Sequence, residues 1–411
     1  MSEATPPGWE LTTLGRNARL ITDGAHASPP THEGGRPIAT VQNMGSRFID
    51  FASCRLISEN DFNSLVRGNC APEIGDVLFS KDGTVGKTFV YRQSEKVVLL
   101  SSIAIIRLDE SNIDPEFCSQ FLLSPLFYQQ LESAKSGSAI RRIVLNELKK
   151  IGVPRPPLPE QQKIAAILSS VDEVIEKKRA QIDKLKDLKT GMMQELLPNG
   201  IGSEGTAHAV FKNSPAGRNS EGWKIKKLGE LADFWGGYAF KSHELSEEGM
   251  KVVRISNLHK PKFPYWKYDG KFKDKWIVEA GDVLFSWAGV ANSVNVHWYT
   301  GERALLNQHI YNFKFESEEM KFWVFQVLKS LLPELKASIE GGAGQLHLTK
   351  SFIQSIEIPL PPAAQRAEIA GALAAVDSKI NLAGKKLTSI QTFKKALMQD
   401  LLTGKVRVKV S

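Results

Sequence analysis

A chain of 411 residues is too long for one ordinary domain, and its 42% hydrophobic and 24% charged residues suit two or three packed cores. No apolar run of about 18 residues occurs, which excludes a membrane-spanning helix, and Met1-Ser2-Glu3-Ala4-Thr5-Pro6-Pro7 lacks the basic and apolar regions of a secretory signal. Cys54, Cys70 and Cys118 form no Cys-x-x-Cys pair, which excludes a disulfide framework and points to a reducing compartment, the cytoplasm.

In chain order, Gly8-Trp9-Glu10 and Leu14-Gly15 open a stretch of short apolar runs such as Asp76-Val77-Leu78-Phe79 and Ile103-Ala104-Ile105-Ile106. Gly and Asp-Gly turns break these runs, so they are predicted strands. A helix is predicted over 116–134, which makes the region α+β rather than all-β. Prolines 154, 156, 157 and 159 then separate this domain from a long helix predicted over Glu160 to Leu197. Its apolar residues Ile164, Leu168, Val171, Ile175, Ile182, Leu185, Met192 and Leu196 alternate in a heptad seam that Lys178 and Lys189 interrupt. Such a helix would be roughly 57 Å long. The Gly- and Ser-rich stretch Pro198–Ser220 is predicted to be a flexible linker.

The chain then repeats itself. Gly222-Trp223-Lys224 with Leu228-Gly229 restates the opening at an offset of 214, and Asn257 restates Asn43. Gly75-Asp76-Val77-Leu78-Phe79-Ser80 returns as Gly281-Asp282-Val283-Leu284-Phe285-Ser286 at 206, locating an eight-residue length difference between Asn43 and Gly75. From Pro154 the offset is a constant 205, with 14 of 44 positions identical over 154–197 against 359–402. The second seam holds Ile369, Leu373, Val376, Ile380, Ala383, Leu387, Ile390, Leu397 and Leu401. Two seams in one chain bury most simply against each other, and equal lengths suit an antiparallel pair. The predicted fold is therefore α+β: two repeated globular domains (1–155 and 221–358), each followed by a long helical region (156–200 and 359–405). A linker (201–220) and a short tail (406–411) complete it.

No catalytic constellation is visible. Gly86-Lys87-Thr88 lacks the earlier glycine of a phosphate loop, since position 81 is lysine, and the second copy has no such triplet. The eight histidines form no zinc-ligand spacing. There is no Gly-x-Ser-x-Gly elbow, and the cysteines have no recognisable base partner. No Gly-x-Gly cofactor loop is joined to the Asn-Pro-Pro-aromatic motif of an adenine methyltransferase. Glu176-Lys177-Lys178 fits a loose nuclease pattern but lies on the heptad helix, where charge is ordinary solvated face.

Charge points instead to a polyanion. Residues 1–159 and 160–200 are each neutral, 201–364 carry 20 basic against 18 acidic side chains, and 365–411 carry 9 against 3. Within 251–275, Lys251, Arg254, Lys260, Lys262, Lys267, Lys271, Lys273 and Lys275 face only Asp269 and Asp274, with Phe263, Tyr265, Trp266, Tyr268 and Phe272 interleaved. Cations neutralise phosphates, and planar or amide side chains can meet base edges. Predicted DNA contacts are Arg254, Asn257, Lys260, Lys262, Lys267, Lys271 and Trp287 in this copy. In the first copy they are Arg36, Gln42, Asn43, Arg47, Lys81 and Lys87, with Arg55 and Arg67 nearby.

These features together resemble the specificity (S) subunit of type I restriction-modification systems, over nearly the whole chain. The resemblance is carried by 151–165 (IGVPRPPLPEQQKIA), 356–369 (IEIPLPPAAQRAEI), the paired Gly-Asp-Val-Leu-Phe-Ser segments and Asn307-Gln308-His309-Ile310. The second copy departs from the usual wording with Ala363-Ala364-Gln365, a change expected at the helix cap and not in the heptad. The resemblance implies a non-catalytic reader of double-stranded DNA whose two domains each read half of a split, asymmetric site, with the helix pair as ruler. It further implies two modification subunits docked on the helices and two restriction subunits in the full complex. S-adenosylmethionine, ATP and magnesium would belong to those partners, none being bound directly, and no membrane is involved.

Overall fold

The computed structural model describes residues 6–133, 142–199, 211–214, 217–220, 223–260, 262–288, 291–340 and 348–410. The start of the chain, most of the predicted linker, and His208 and His347 lie outside the described residues. The chain divides into two compact units, Met1–Gln181 with Ala383–Ser411, and Ile182–Leu382.

The first unit contains β1 (Glu10–Thr13), β2 (Ala18–Asp23), β3 (Arg36–Ala39), β4 (Arg55–Ile57), α1 (Glu59–Arg67), β5 (Val77–Ser80), β6 (Thr88–Val90), β7 (Val98–Leu99) and β8 (Ile103–Leu108). It continues with α2 (Pro115–Leu122), α3 (Pro125–Ser133), α4 (Leu145–Lys150), β9 (Gly152–Arg155) and the long helix α5 (Leu158–Asn199), whose second half enters the other unit. The helix predicted over 116–134 is thus two helices. The chain breaks at Leu123-Ser124 because Pro125 cannot continue a helix, and the Ser124 hydroxyl accepts from Phe127 N–H to start the next one.

An inner sheet runs β2-β8-β5-β6 and an outer sheet β4-β3-β7. The apolar runs at β5 and β8 are apolar on both faces because both faces are covered. Val77, Phe79, Ala104 and Ile106 meet the helices, while Leu78, Ile103 and Ile105 meet Ala39 and Leu99 of the outer sheet. Helix α1 covers the outer sheet's far face through Phe62 on Ile38, Ile57 and Val98.

The second unit repeats this order. Within the predicted linker, β10 (Phe211–Ser214) pairs antiparallel with β11 (Gly217–Ser220). There follow β12 (Lys224–Lys227), α6 (Leu228–Leu231), β13 (Asp233–Gly236), β14 (Met250–Val253), α7 (Ile255–His259), β15 (Trp266–Tyr268), β16 (Ile277–Val278), β17 (Val283–Ser286), β18 (Asn295–Trp298), β19 (Ala304–Leu306) and β20 (Ile310–Lys314). Helices α8 (Glu318–Glu340) and α9 (Lys350–Ser355), strand β21 (Glu357–Leu360) and the long helix α10 (Ala363–Leu402) complete the series. The inner sheet is β13-β20-β17-β18 and the outer sheet β15-β14-β19-β16.

The repeated Gly-Asp-Val-Leu-Phe-Ser segment is architectural. Gly75 and Gly281 adopt φ of +97° and +94°, which L side chains resist, and so turn the chain into β5 and β17. The aspartate that follows latches the strand: Asp76 takes both arms of Arg107 at 3.0 and 2.9 Å, and Asp282 takes Lys314 and Asn312, each at 2.7 Å.

The long helices pair antiparallel, and each unit shows the pairing by itself. In the first, Ile164 and Leu168 of α5 share a core with Met398, Leu401 and Leu402 of α10, and Lys394 binds Asp172 at 2.6 Å. In the second, Ile369 and Leu373 of α10 share a core with Leu197 of α5, and Lys189 binds Asp377 at 2.8 Å. Lys189, which breaks the seam in the sequence, therefore ends on an aspartate of the opposite helix. Of the predicted pairing residues, Ile164, Leu168, Ile175, Ile369, Leu373 and Val376 are buried. Val171, Ile182, Leu185, Ile380, Leu387 and Ile390 are half-buried at the seam's margin.

The predicted tail is exposed for the most part but anchored through Arg407 and the half-buried Val408. Arg407 grips both oxygens of Glu160 at 2.7 and 2.8 Å and lies over the Trp9 ring, whose indole N–H also donates to Glu160 at 3.0 Å. Burial would push the Glu160 carboxyl up, but the hydrogen bonds from Arg407 and Trp9 outweigh it and hold it below its ordinary 4.5. In the second unit Trp223 donates to Gln365 instead, at 3.1 Å. The change of wording at this helix start thus exchanges a charged contact for a neutral one. The next position changes as well: Gln161 bonds Pro156 O and Asn112 O, whereas Arg366 bonds Pro361 O and pairs with Glu319.

Candidate nucleic-acid interface

The loops leaving the outer sheets carry most of the predicted contacts, and burial sorts them sharply. Asn43 and Asn257 are buried, and their amides are spent internally. Asn43 accepts from Thr40 N–H at 2.8 Å and donates to Ser53 O at 2.9 Å. Asn257 accepts from Arg254 N–H at 3.1 Å and donates to Phe263 O at 2.9 Å. As base-reading residues both are corrected: they close the loop, and a side chain so used cannot reach a base edge.

Lys81 is corrected for the same reason. It is 2% exposed and its ammonium sits 2.9 Å from Asp23, so moving it to a phosphate would take away the lysine that balances a half-buried carboxylate. Lys87 donates to Met44 O at 2.6 Å and is a loop strut rather than a free cation. Arg254 is half-buried, its guanidinium 4.1 Å from the Trp266 ring centre and 5.3 Å from that of Phe263, while it donates to Pro264 O at 2.6 Å. Burial lowers its pKa, as expected for a cation drawn into aromatic surroundings. Trp287 stacks on Tyr311 with ring centres 5.7 Å apart. Lys267 donates to Glu247 O at 2.7 Å.

The outward set is smaller. In the second unit Lys260, Lys262 and Lys271 are exposed, as are Lys273 and Lys275, and within the described residues none of the five is ion-paired. In the first unit Gln42 and Arg47 are exposed, Arg47 standing 3.7 Å from Glu116, and Arg36 lies over Phe62 and 3.8 Å from Glu59. A cleft of about 280 Å³ at the Arg47 loop is lined by Arg47 and Lys87 but also by Glu116, Asp172 and Glu176. Its carboxylates suit it poorly to a polyanion, so the cationic surface is the loop tip itself.

The described cysteines are not prepared as nucleophiles. Burial pushes the Cys54 thiol up to about 11 and that of Cys118 to about 12, the opposite of what a reactive thiolate requires. Among the described residues no group of three His, Cys, Asp or Glu side chains is placed to hold a metal, and no helix is long and apolar enough to cross a membrane. The residues sequence reasoning missed are Glu160 and Arg407, together with the Asp172–Lys394 and Asp377–Lys189 pairs. For the two pairs the signal was the identity of Asp172/Asp377 and Lys189/Lys394 as polar positions 205 apart in helices where most solvated positions differ.

Comparison with known proteins places these features in company. The family profile described as type I restriction modification DNA specificity domain matches residues 40–187 and 220–392. The putative type I restriction enzyme MjaX specificity subunit of Methanocaldococcus jannaschii is 28% identical, over 98% of this chain and 95% of that one. The MjaVIII specificity subunit of the same organism is 27% identical over 98% and 94%, and the StySPI specificity subunit of Salmonella potsdam 22% identical over 71% and 65%. Among solved structures, the S subunit of the type I restriction-modification system of M. genitalium aligns with a TM-score of 0.56 at 16% identity, covering 98% of each chain. A chain from a study of type I restriction-modification complex assembly and conformational transition aligns at 0.57 and 19%, covering 98% of this chain and all of that one. At these identities the likeness is one of fold.

Proposed function

Because the chain belongs to the type I restriction-modification DNA specificity family, we propose that it reads a split DNA site, one half with each recognition domain. It is a specificity subunit, the DNA-recognition component of its system and not the catalytic one. The helix pair acts as a ruler between half-sites and as the platform on which two modification subunits dock, with two restriction subunits joining the full complex. S-adenosylmethionine, ATP and magnesium serve those partners. Double-stranded DNA is the ligand, and its phosphates meet the exposed cations Lys260, Lys262, Lys271 and Arg47.

One observation carries this reading. The same inner sheet, outer sheet and helix start occur twice, and each copy ends in a helix held antiparallel by an aspartate–lysine pair at positions 205 apart. Two equivalent readers on one antiparallel pair suit two separated half-sites, as in dimeric DNA readers whose protein geometry sets half-site spacing.

Inserting one heptad into both α5 and α10 tests it. Mapping N6-methyladenine across the genome, with and without the insertion, should show both half-sites unchanged and the unread spacer longer. An unchanged spacer, or altered half-sites, would refute the ruler.

A further inference from the structure

In both copies, the loop after the buried asparagine carries a cation followed by an exposed phenylalanine: Arg47-Phe48 and Lys262-Phe263. We propose that Phe48 and Phe263 are base-contacting side chains, one for each half-site, an assignment that rests on the DNA-reading function above.

The first loop is built to present its tip. Met44 and Ile49 are buried and bridge each other, Gly45 N–H donates to Phe48 O at 2.8 Å, and Asp50 N–H donates to Asn43 O at 2.8 Å. Gln93 clamps Ile49 from both sides, accepting its N–H at 2.6 Å and donating to its carbonyl at 2.9 Å. Lys87 holds Met44 O from below. Between these anchors Ser46, Arg47 and Phe48 are exposed, Phe48 keeping 49% of its surface open to solvent with one side of its ring laid against Gly45.

Different bonds achieve the same presentation in the second loop. Asn257 holds Phe263 O, Arg254 holds Pro264 O, and Phe263 N–H donates to Lys260 O at 2.8 Å. Phe263, next to Lys262 in the chain, is 42% exposed, with the Arg254 guanidinium 5.3 Å from its ring centre.

A single exposed apolar side chain is ordinary on a protein surface. Two in the loops that follow the paired asparagines are not so easily set aside, because each loop is pinned and each phenylalanine is preceded by a cation. The arrangement divides labour in the way a nucleic-acid reader requires. The cation neutralises a phosphate, while the ring, unable to hydrogen-bond, packs on a thymine methyl or wedges against a base step. The buried asparagines recur for the same reason: they set the loop that aims the ring.

The two roles separate experimentally, because a phosphate contact carries salt dependence and an apolar contact does not. Phe48→Ala and Phe263→Ala, each assembled with the modification subunits, should weaken binding to the cognate duplex about tenfold or more. The salt slope should stay unchanged and the melting temperature unaltered. Lys262→Ala should reduce the slope by about one unit. Methylome mapping should show relaxed base choice in one half-site for Phe48→Ala and in the other for Phe263→Ala. Unchanged affinity and base choice in both phenylalanine variants would overturn the proposal, as would loss in both half-sites together. Should Lys262→Ala change the slope while the phenylalanine variants stay silent, only this inference falls. If all three bind like the parent, the DNA-facing assignment of these loops falls with it.

Discussion

The far faces of the two outer sheets are closed by different means. The first copy lays helix α1 there, started by the Ser58 hydroxyl accepting from Asp61 N–H, with Phe62 driven between Ile38, Ile57 and Val98. Among the described residues the second copy has no such helix. It adds strand β16 and fills the space with rings, Tyr238 stacked on Trp276 at 4.3 Å and Phe240 edge-on to both Tyr238 and Tyr268. The inner sheets and helix starts are nearly superimposable in role. Divergence is therefore concentrated on the layer farthest from the long helices, where a change of cover leaves the helix-bearing core intact.

Smaller contrasts inside the shared frame can be tested, and the largest lies on the helices. Asp172 accepts from Lys394 and also from Gln120 at 2.8 Å, whereas the counterpart Asp377 has Lys189 and its equivalent glutamine, Gln326, stands buried without a bond to it. Lys394→Met should destabilise the first unit by about 3 kcal/mol, and Lys189→Met the second, more exposed pair by about 1–2 kcal/mol. Hydrogen exchange resolved along the chain would read each unit separately. Equal losses would show that the added glutamine contact does not distinguish the pairs.

Next comes the pairing partner of the central strand. Phe89 faces Leu78 in the first copy, but His297 faces Leu284 in the second. Burial, with Lys329, His259 and Lys336 nearby, pushes that imidazole down to about 3 from an ordinary 6.5. Its ring also contacts the Ser286 hydroxyl at 3.3 Å. Between those values the unfolded chain binds a proton that the folded chain does not, so stability falls as pH drops below 6.5. The loss at pH 5 should be about 2 kcal/mol. His297→Phe, which restores the first copy's residue, should abolish that slope. Urea unfolding followed by tryptophan fluorescence suits the measurement, since every tryptophan but Trp9 lies in the second unit. A slope that survives the substitution would point to another group.

The smallest effect is expected at the helix starts. Glu160→Gln copies the second unit's Gln365 into the first and removes the carboxylate that Arg407 grips. A cost of about 1 kcal/mol at pH 7 is expected, with the indole bond from Trp9 retained. Because the folded carboxyl lies below 4.5, its contribution is present above that value and disappears as pH falls through the folded one. The parent should therefore show an acid step near the Trp9 segment that the variant lacks. Exchange rates for residues 6–17 at pH 6 and pH 3 would reveal it; identical profiles would show that the clasp adds nothing to stability.

How much of this was legible beforehand depends on the range of the information. The repeat, the heptad seam, the antiparallel pairing and the α+β character follow from spacing along the chain, because periods of 3.5 residues and offsets near 205 are properties of the sequence itself. The double burial of β5 and β8 was not legible, since alternation cannot announce a second sheet on the other face.

Cations show the division most clearly. By composition Lys81, Lys87, Arg254 and Lys262 are equivalent lysines and arginines in basic loops. Folding sends the first to Asp23, the second to a carbonyl of the Met44 loop, the third onto Trp266 and only the last to solvent. What the sequence determined alone was the duplicated scaffold and its helices, which rest on local periodicity. Only the tertiary structure decided which charges face outward, because a charge is free or spent according to what distant segments bring within hydrogen-bond reach.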